Sequence, residues 1–369
     1  MTDDSLQREL VELTCDLIAY PSTADRPADL AAIVDYVERY ARSIRGVFVQ
    51  RFEVQQIPCL MVTLRPTRTP TVILNGHLDV VAARPEQYQP VIQNGRIYGR
   101  GSQDMKGACA VLMRLMKDLA ARPQPPDIGF MFVADEEIGG FQGTNYLLDQ
   151  GWRSSLFIAA EPTDLNICYA AKGMVRLDIT IHGRPAHGSR PWEGTNPIAA
   201  LRDGLVALEQ RFPTPRDAVW ATTAVPTVVR GGETLNRIPE EVTLSLDIRH
   251  VPDETPEAIE TAVRACFPGA TVVRNSTGGI PLDTDPQHPY LARLAACAER
   301  VTGRAPQLYR EHFGSDARFY SGAGIPAICF GPVGAGLHSD DEWVETASLE
   351  QLYAILLDSM VELATSGGA

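Results

Sequence analysis

The sequence predicts an α/β fold interrupted by a second, α+β domain, and three observations carry that expectation. Apolar runs of strand length, Val72-Ile73-Leu74, Ile128–Val133 and 156–160, alternate with segments of helical periodicity, the pattern of a sheet covered on both faces. After Tyr169 the texture changes: Val175, Leu177, Ile179 and Ile181 alternate with other residues, as in an antiparallel strand with one wet face. From there the elements run strand-helix-strand-strand-helix-strand, the order of a ferredoxin-like domain. Residues 172–281 are therefore read as an insertion into a larger domain made of 1–171 and 282–369, with Lys172-Gly173 and Gly278-Gly279 as hinges.

Taken in order, Leu6, Leu10, Leu13 and Leu17 recur at helical spacing, and Pro21 closes that helix. A second helix is expected over 29–45, then strands over 47–54 and 59–64 and the run from Thr71. Asn75-Gly76 reads as the turn that stops this run, leaving His77 and Asp79 at a strand's carboxyl end, where open α/β sheets place their chemistry. Residues 83–101 read as a long polar connection, more than an economical loop needs. G-R-G-S-Q-D-M-K-G then leads into a helix over 108–121, which puts Asp104 at a helix start. The strand Ile128–Val133 runs into Asp135-Glu136-Glu137, and the strand over 156–160 runs into Glu161.

Within the insertion, strands are expected at 174–182, 219–229, 242–249 and 270–274, with helices at 196–212 and 255–266. Beyond it come a helix from His288, the segment H-F-G-S-D-A-R-F-Y at another helix start, and a strand over 325–330. A glycine-rich stretch leads to His338, and an amphipathic helix over 348–364 closes the chain.

Composition narrows the function. The chain has 369 residues, and 33 Lys and Arg against 46 Asp and Glu give a formal charge of −13, which argues against nucleic acid or an anionic membrane as partner and favours divalent cations. Seven scattered cysteines without C-x-x-C spacing form neither a disulfide framework nor a thiolate metal site, and a reducing cytoplasm is expected. The first ten residues are acidic and polar, unlike a secretory leader, and no apolar run reaches membrane-spanning length.

Each polar cluster has an ordinary explanation when taken alone. His77-Leu78-Asp79 passes for a polar strand end, Asp104 for an N-cap, and Asp135-Glu136-Glu137 for a solvated acidic turn. Together they place histidines and carboxylates at strand ends and glycine-rich loops of one sheet, a nitrogen and oxygen set suited to zinc, cobalt or manganese. His77 is suited to ligation while Asp79 orients its other ring nitrogen or positions a neighbouring group. A shared carboxylate among five ligands makes a two-metal site, in which ions ~3.5–4 Å apart bridge a water that becomes hydroxide near neutral pH. No G-x-S-x-G elbow offers a serine alternative.

G-H-L-D-V-V, Y-G-R-G-S-Q-D-M-K-G, D-E-E-I-G-G, A-E-P-T and G-L-H-S-D-D-E, in this order, resemble the di-zinc amidohydrolase and metallopeptidase family of acetylornithine deacetylase, succinyl-diaminopimelate desuccinylase, aminoacylase and glutamate carboxypeptidase. The resemblance implies a zinc-dependent exopeptidase-like catalytic domain with an inserted lid that dimerises. It implies that His77, Asp104 and Glu161 bind one metal and Glu137, Asp104 and His338 the other, with Glu136 as general base, Asp79 behind His77, and a cis peptide after Asp104. Two zinc ions are the expected cofactors, with cobalt or manganese as substitutes. In the lid it implies that His187 polarises the scissile carbonyl, often from the partner subunit of a homodimer, and that Asn236 and Arg249 contact substrate; without it, His187 reads as a loop histidine and Arg249 as a surface charge. Gly314-Ser315-Asp316-Ala317-Arg318 is similar to the T-S-D-G-R segment of desuccinylases, with Ser315 at a substrate position, although Gly314 and Gly334 stand where desuccinylases carry threonine and asparagine. The implied activity is hydrolysis of an N-acyl amino acid by the bridging hydroxide. A carboxypeptidase or dipeptidase on the same scaffold is the alternative.

Overall fold

The structure, a computed structural model, describes residues 4–275 and 278–365. Helices α1 (Asp4–Ile18) and α2 (Pro27–Ser43) precede strands β1 (Phe48–Val54), β2 (Ile57–Thr63) and β3 (Val72–His77). The hairpin β4 (Val91–Gln93) and β5 (Arg96–Tyr98) follows, then α3 (Gly107–Ala120), β6 (Ile128–Val133), α4 (Thr144–Asp149), β7 (Leu156–Ala159) and β8 (Ile167–Ala171). Next come β9 (Gly173–His182), α5 (Pro197–Arg211), β10 (Thr223–Gly231), β11 (Glu241–His250), α6 (Pro256–Cys266) and β12 (Thr271–Arg274). The chain ends with β13 (Leu282–Asp283), α7 (Pro289–Thr302), β14 (Leu308–Glu311), α8 (Ala317–Gly322), β15 (Ala327–Cys329), β16 (Gly334–Ala335), β17 (Trp343–Glu345) and α9 (Thr346–Thr365).

Two compact units result: 1–170 with 282–309 and 315–369, and 171–281 with 310–314. Residues 310–314 belong to the second unit rather than to an unbroken 282–369 segment. Lys172 donates its amide to the Glu311 carbonyl, the Arg310 guanidinium lies over Trp220, and the His312 ring meets Trp220 edge-on.

In the first unit a mixed nine-stranded sheet runs β1-β2-β6-β3-β7-β15-β8-β13, with β14 paired to β8. β3 lies between parallel neighbours β6 and β7 and is buried along its whole length, which is why Val72, Ile73 and Leu74 form an unbroken apolar run. α3 is apolar nearly all round because it is enclosed, packed against α1, α2 and α9. Asn75-Gly76 does not end the strand: β3 continues to His77, pairing Gly76 with Phe132 and His77 with Val133. Gly76 is required by close approach instead, since a Cβ there would lie 2.6 Å from Cys109 Sγ on α3.

The 83–101 stretch is not a plain loop either. Its hairpin joins a small antiparallel sheet, β16-β17-β5-β4, in which Trp343 pairs with Tyr98 and Val344 with Ile97. In the second unit the antiparallel order β10-β11-β9-β12 is ferredoxin-like, and Leu177, Ile179, Leu244 and Leu246 form its core with Leu208 of α5 and Val263 of α6.

Candidate metal centre

His77 ends β3, Glu136 and Glu137 form the short helical turn after β6, and Glu161 follows β7, so three neighbouring strands deliver them to one edge. Asp104 arrives from the turn before α3; its side chain caps no amide, and the Asp104–Met105 peptide is cis. Asp104 Oδ1 lies 2.8 Å from His77 Nε2, and its Oδ2 lies 3.2 Å from His338 Nε2. His338 Nε2 is also 3.2 Å from Glu137 Oε1, and His77 Nε2 is 3.9 Å from Glu161 Oε2. Two triads with ligand atoms within 4.8 Å of one another result, His77–Asp104–Glu161 and Asp104–Glu137–His338, and Asp104 is common to both.

The supports differ from a simple carboxylate behind a histidine. His77 Nδ1 sits 2.9 Å from the backbone carbonyl of Asp79, which makes Nδ1 a donor there and leaves Nε2 facing the triad. The Asp79 carboxylate, 3.6 Å from Nδ1, instead accepts the amides of Glu136 and Glu137 at 3.2 and 2.9 Å. It therefore fixes the turn that carries both glutamates.

The electrostatics are those of crowded acids with insufficient counter-charge. Burial, with Glu161 nearby, pushes the Glu136 carboxyl well up, and burial does the same to Glu161. Burial would also raise Asp104, but hydrogen bonds from His338 and His77 hold it well below the usual carboxylate range. The hydrogen bonds to Asp104 and Glu137 push His338 up to about 10, and His77 is raised, against its own burial, by Asp104 and Asp79. Glu161 Oε1 is buried without a hydrogen-bond partner, and the Glu136 carboxylate has none among the described residues. A buried carboxylate oxygen without a partner, beside imidazole nitrogens and further carboxylates, fits hard to borderline divalent cations.

Several supporting residues escaped the sequence reading. Asp135 and Asp316 are wholly buried behind the glutamate turn, and burial lifts their carboxyls to about 7 and about 6. Asp316 bonds Thr144 Oγ1 at 2.5 Å, and Arg318 donates to the Gly139 carbonyl at 2.7 Å. Lys106 is enclosed, its Nζ on the Tyr20 carbonyl at 2.7 Å, and burial lowers its ammonium to about 7. D-M-K-G and S-D-A-R were visible as motifs, but a sequence does not show which charges are buried. Ser315 is buried too, its hydroxyl 3.0 Å from Cys329 Sγ.

The remaining expected residues lie in the second unit. His187 and Arg237 form an isolated bridge, and Gly188 donates its amide to the Asn236 carbonyl at 2.7 Å, so His187 and Asn236 share one small tongue. Arg249, on β11, pairs with Asp247 at 2.7 Å and lines a cavity of about 230 Å³ with Lys172, Asp217 and His312.

Comparison with known proteins agrees with this architecture. The model of peptidase family M20/M25/M40 matches residues 73–362. The succinyl-diaminopimelate desuccinylase of Magnetococcus marinus is 31% identical over 312 residues, 77% of this chain and 82% of that protein. That of Rhodospirillum centenum is 30% identical over 94% of this chain and 95% of its own. Among solved structures, the aminopeptidase PepT of Bacillus cereus superposes with a TM-score of 0.82 at 21% identity, covering 97% of this chain and 99% of its own. A dinuclear metal-binding M20 peptidase of Bacillus subtilis reaches a TM-score of 0.72 at 15% identity, over 98% and 99% of the two chains. With the family model spanning most of its length, this chain belongs to peptidase family M20/M25/M40 and is a hydrolase of that family.

Proposed function

We propose that the chain hydrolyses the amide bond of an N-acyl amino acid rich in carboxylates, of the succinyl-diaminopimelate type. The observation that carries this reading is the pair of triads sharing Asp104, with the unpartnered Glu136 carboxylate beside them; the names of the curated relatives supply the substrate class. His77, Asp104 and Glu161 would hold one ion and Asp104, Glu137 and His338 the other, zinc in this reading. When bound, the ions supply Lewis acidity, polarising the amide carbonyl and acidifying water. Glu136 takes a proton from the attacking water and returns it to the departing nitrogen, so amide and water become carboxylate and amine. Asp79 keeps Glu136 aimed by holding its amide.

His187 and Asn236 are assigned to the scissile carbonyl and its oxyanion, acting from the partner of a homodimer, and Arg249 to a substrate carboxylate. Lys172 beside Arg249 supports the last assignment. Ser315 completes the substrate set through its backbone, since its hydroxyl is taken by Cys329. We assign residues 172–281 as the lid and dimerisation domain. β10 is an edge strand of nine residues with Val225, Val228 and Val229 exposed, a surface that a second copy would cover by strand pairing. Sedimentation is expected to give a dimer, and Val228→Lys a monomer of much reduced turnover; a fully active wild-type monomer would defeat both the dimer and the role of His187 in trans. No helix among the described residues is long and apolar enough to cross a membrane, and the seven free thiols support a cytoplasmic location.

The structural neighbours with peptidase names favour a second reading, a carboxypeptidase or dipeptidase using the same centre. Amine release from N-succinyl-diaminopimelate, N-acetylornithine and simple dipeptides, with zinc added, separates the two. Preference for the succinylated compound is expected. Preference for dipeptides would overturn the substrate assignment and leave the metal assignment standing.

A further inference from the structure

Arg100 follows β5 and Glu342 precedes β17, so the ladder of the small sheet brings them side by side; Gly99 donates its amide to the Glu342 carbonyl at 3.1 Å. Both side chains are buried, at 3% and 1% exposure, with Arg100 Nη1 2.5 Å from Glu342 Oε2. The other carboxylate oxygen, Oε1, accepts the amides of Gln103 and Asp104 at 3.0 and 3.2 Å. The other guanidinium nitrogen, Nη2, donates to the carbonyl of Ser339 at 3.1 Å, where Gln87 Nε2 donates as well. One ion pair thus holds the peptide groups that carry Asp104 and the carbonyl next after His338.

Burying two charges costs several kcal/mol that their attraction only partly recovers, so stability alone is a poor reason for such a pair. The geometry points to another: we infer that Arg100 and Glu342 are positioning residues that set the affinity of the Asp104–Glu137–His338 triad separately from that of His77–Asp104–Glu161. His77 and Glu161 are fixed by β3 and β7 of the large sheet, and Asp104 Oδ1 is already against His77. His338 is exposed in a loop, at φ 59°, and Gly336 keeps that loop folded back, since a Cβ there would lie 2.6 Å from the Asp341 carbonyl. The second triad is the one in which this ion pair holds both the amide of one member, Asp104, and the residue that follows another, Ser339 after His338.

The inference rests on the ligand reading proposed above, and zinc titration against a competing chelator tests the two separately. Wild-type protein is expected to bind two ions; fewer than two would sink the ligand reading, whatever the role of the pair. Glu342→Gln and Arg100→Lys are expected to keep one site at wild-type affinity and to weaken the other by about 10–100-fold, the usual effect of losing a residue behind a ligand. Turnover should return at high zinc. Unchanged affinities, or equal weakening at both sites, would overturn the inference, as would failure of both variants to fold, which would make the pair a folding element only.

Discussion

Glu136→Gln is expected to leave both metal sites filled and to lower kcat by about 10²–10⁴-fold, the range that a positioned acid–base group contributes. The substitution is isosteric, and the Glu136 amide stays on the Asp79 carboxylate, so the turn and Glu137, the proposed ligand, keep their places. What is lost is the ability to hold a proton. The Glu136 carboxyl is pushed up by burial and by Glu161, which suits a group that must accept a proton and release it to the leaving nitrogen. In the proposed role Glu136 works ionised, so wild-type turnover should fall as the pH drops, and that acid limb should flatten in the variant. Stopped assays across pH, with zinc counted in the same samples, check both points. Near wild-type turnover with two ions bound would place the base elsewhere.

Much of this centre was legible because strand ends announce themselves. His77, Glu136, Glu137 and Glu161 each follow an unbroken apolar run, and polar groups there must face the open edge of a buried sheet. Asn75-Gly76 was misread because Asn-Gly is a strong turn signal, while the reason for Gly76 is Cys109 on α3, a contact made only after the helix packs on the sheet. The ferredoxin-like order was legible for a similar reason: alternation in β9 and β11 marks a sheet with one face buried.

The small sheet was not legible at all. Its strands are two or three residues long, too short to show a period, and β5 pairs with a segment nearly the whole domain away in sequence. Nothing in the sequence therefore marked Arg100 and Glu342 as a pair, although each is enclosed. Asp79 was half legible: an acid two residues past His77 belongs to its support, but which of its oxygens meets the imidazole depends on how the turn after β6 folds over it.

Asp104→Asn is expected to abolish turnover by emptying both sites rather than one. The two carboxylate oxygens of Asp104 face different histidines, so losing its charge removes an anionic ligand from each triad, whereas His338→Ala removes a ligand from one. The variant should still fold: asparagine has the same shape, and its amide can donate where the carboxylate accepted, so the contact with at least one imidazole survives. Binding to the folded state alone stabilises by RT ln(1 + [L]/Kd), about 4 kcal/mol per site at a thousandfold excess over Kd, so zinc should raise the melting temperature of wild type markedly. His338→Ala should show roughly half of that rise, and Asp104→Asn almost none. A variant at position 104 that still bound two ions, or still melted higher with zinc, would show that the triads do not depend on a common carboxylate, and the two-metal reading would have to be rebuilt on Glu136 or Asp316, the buried acids that remain close by.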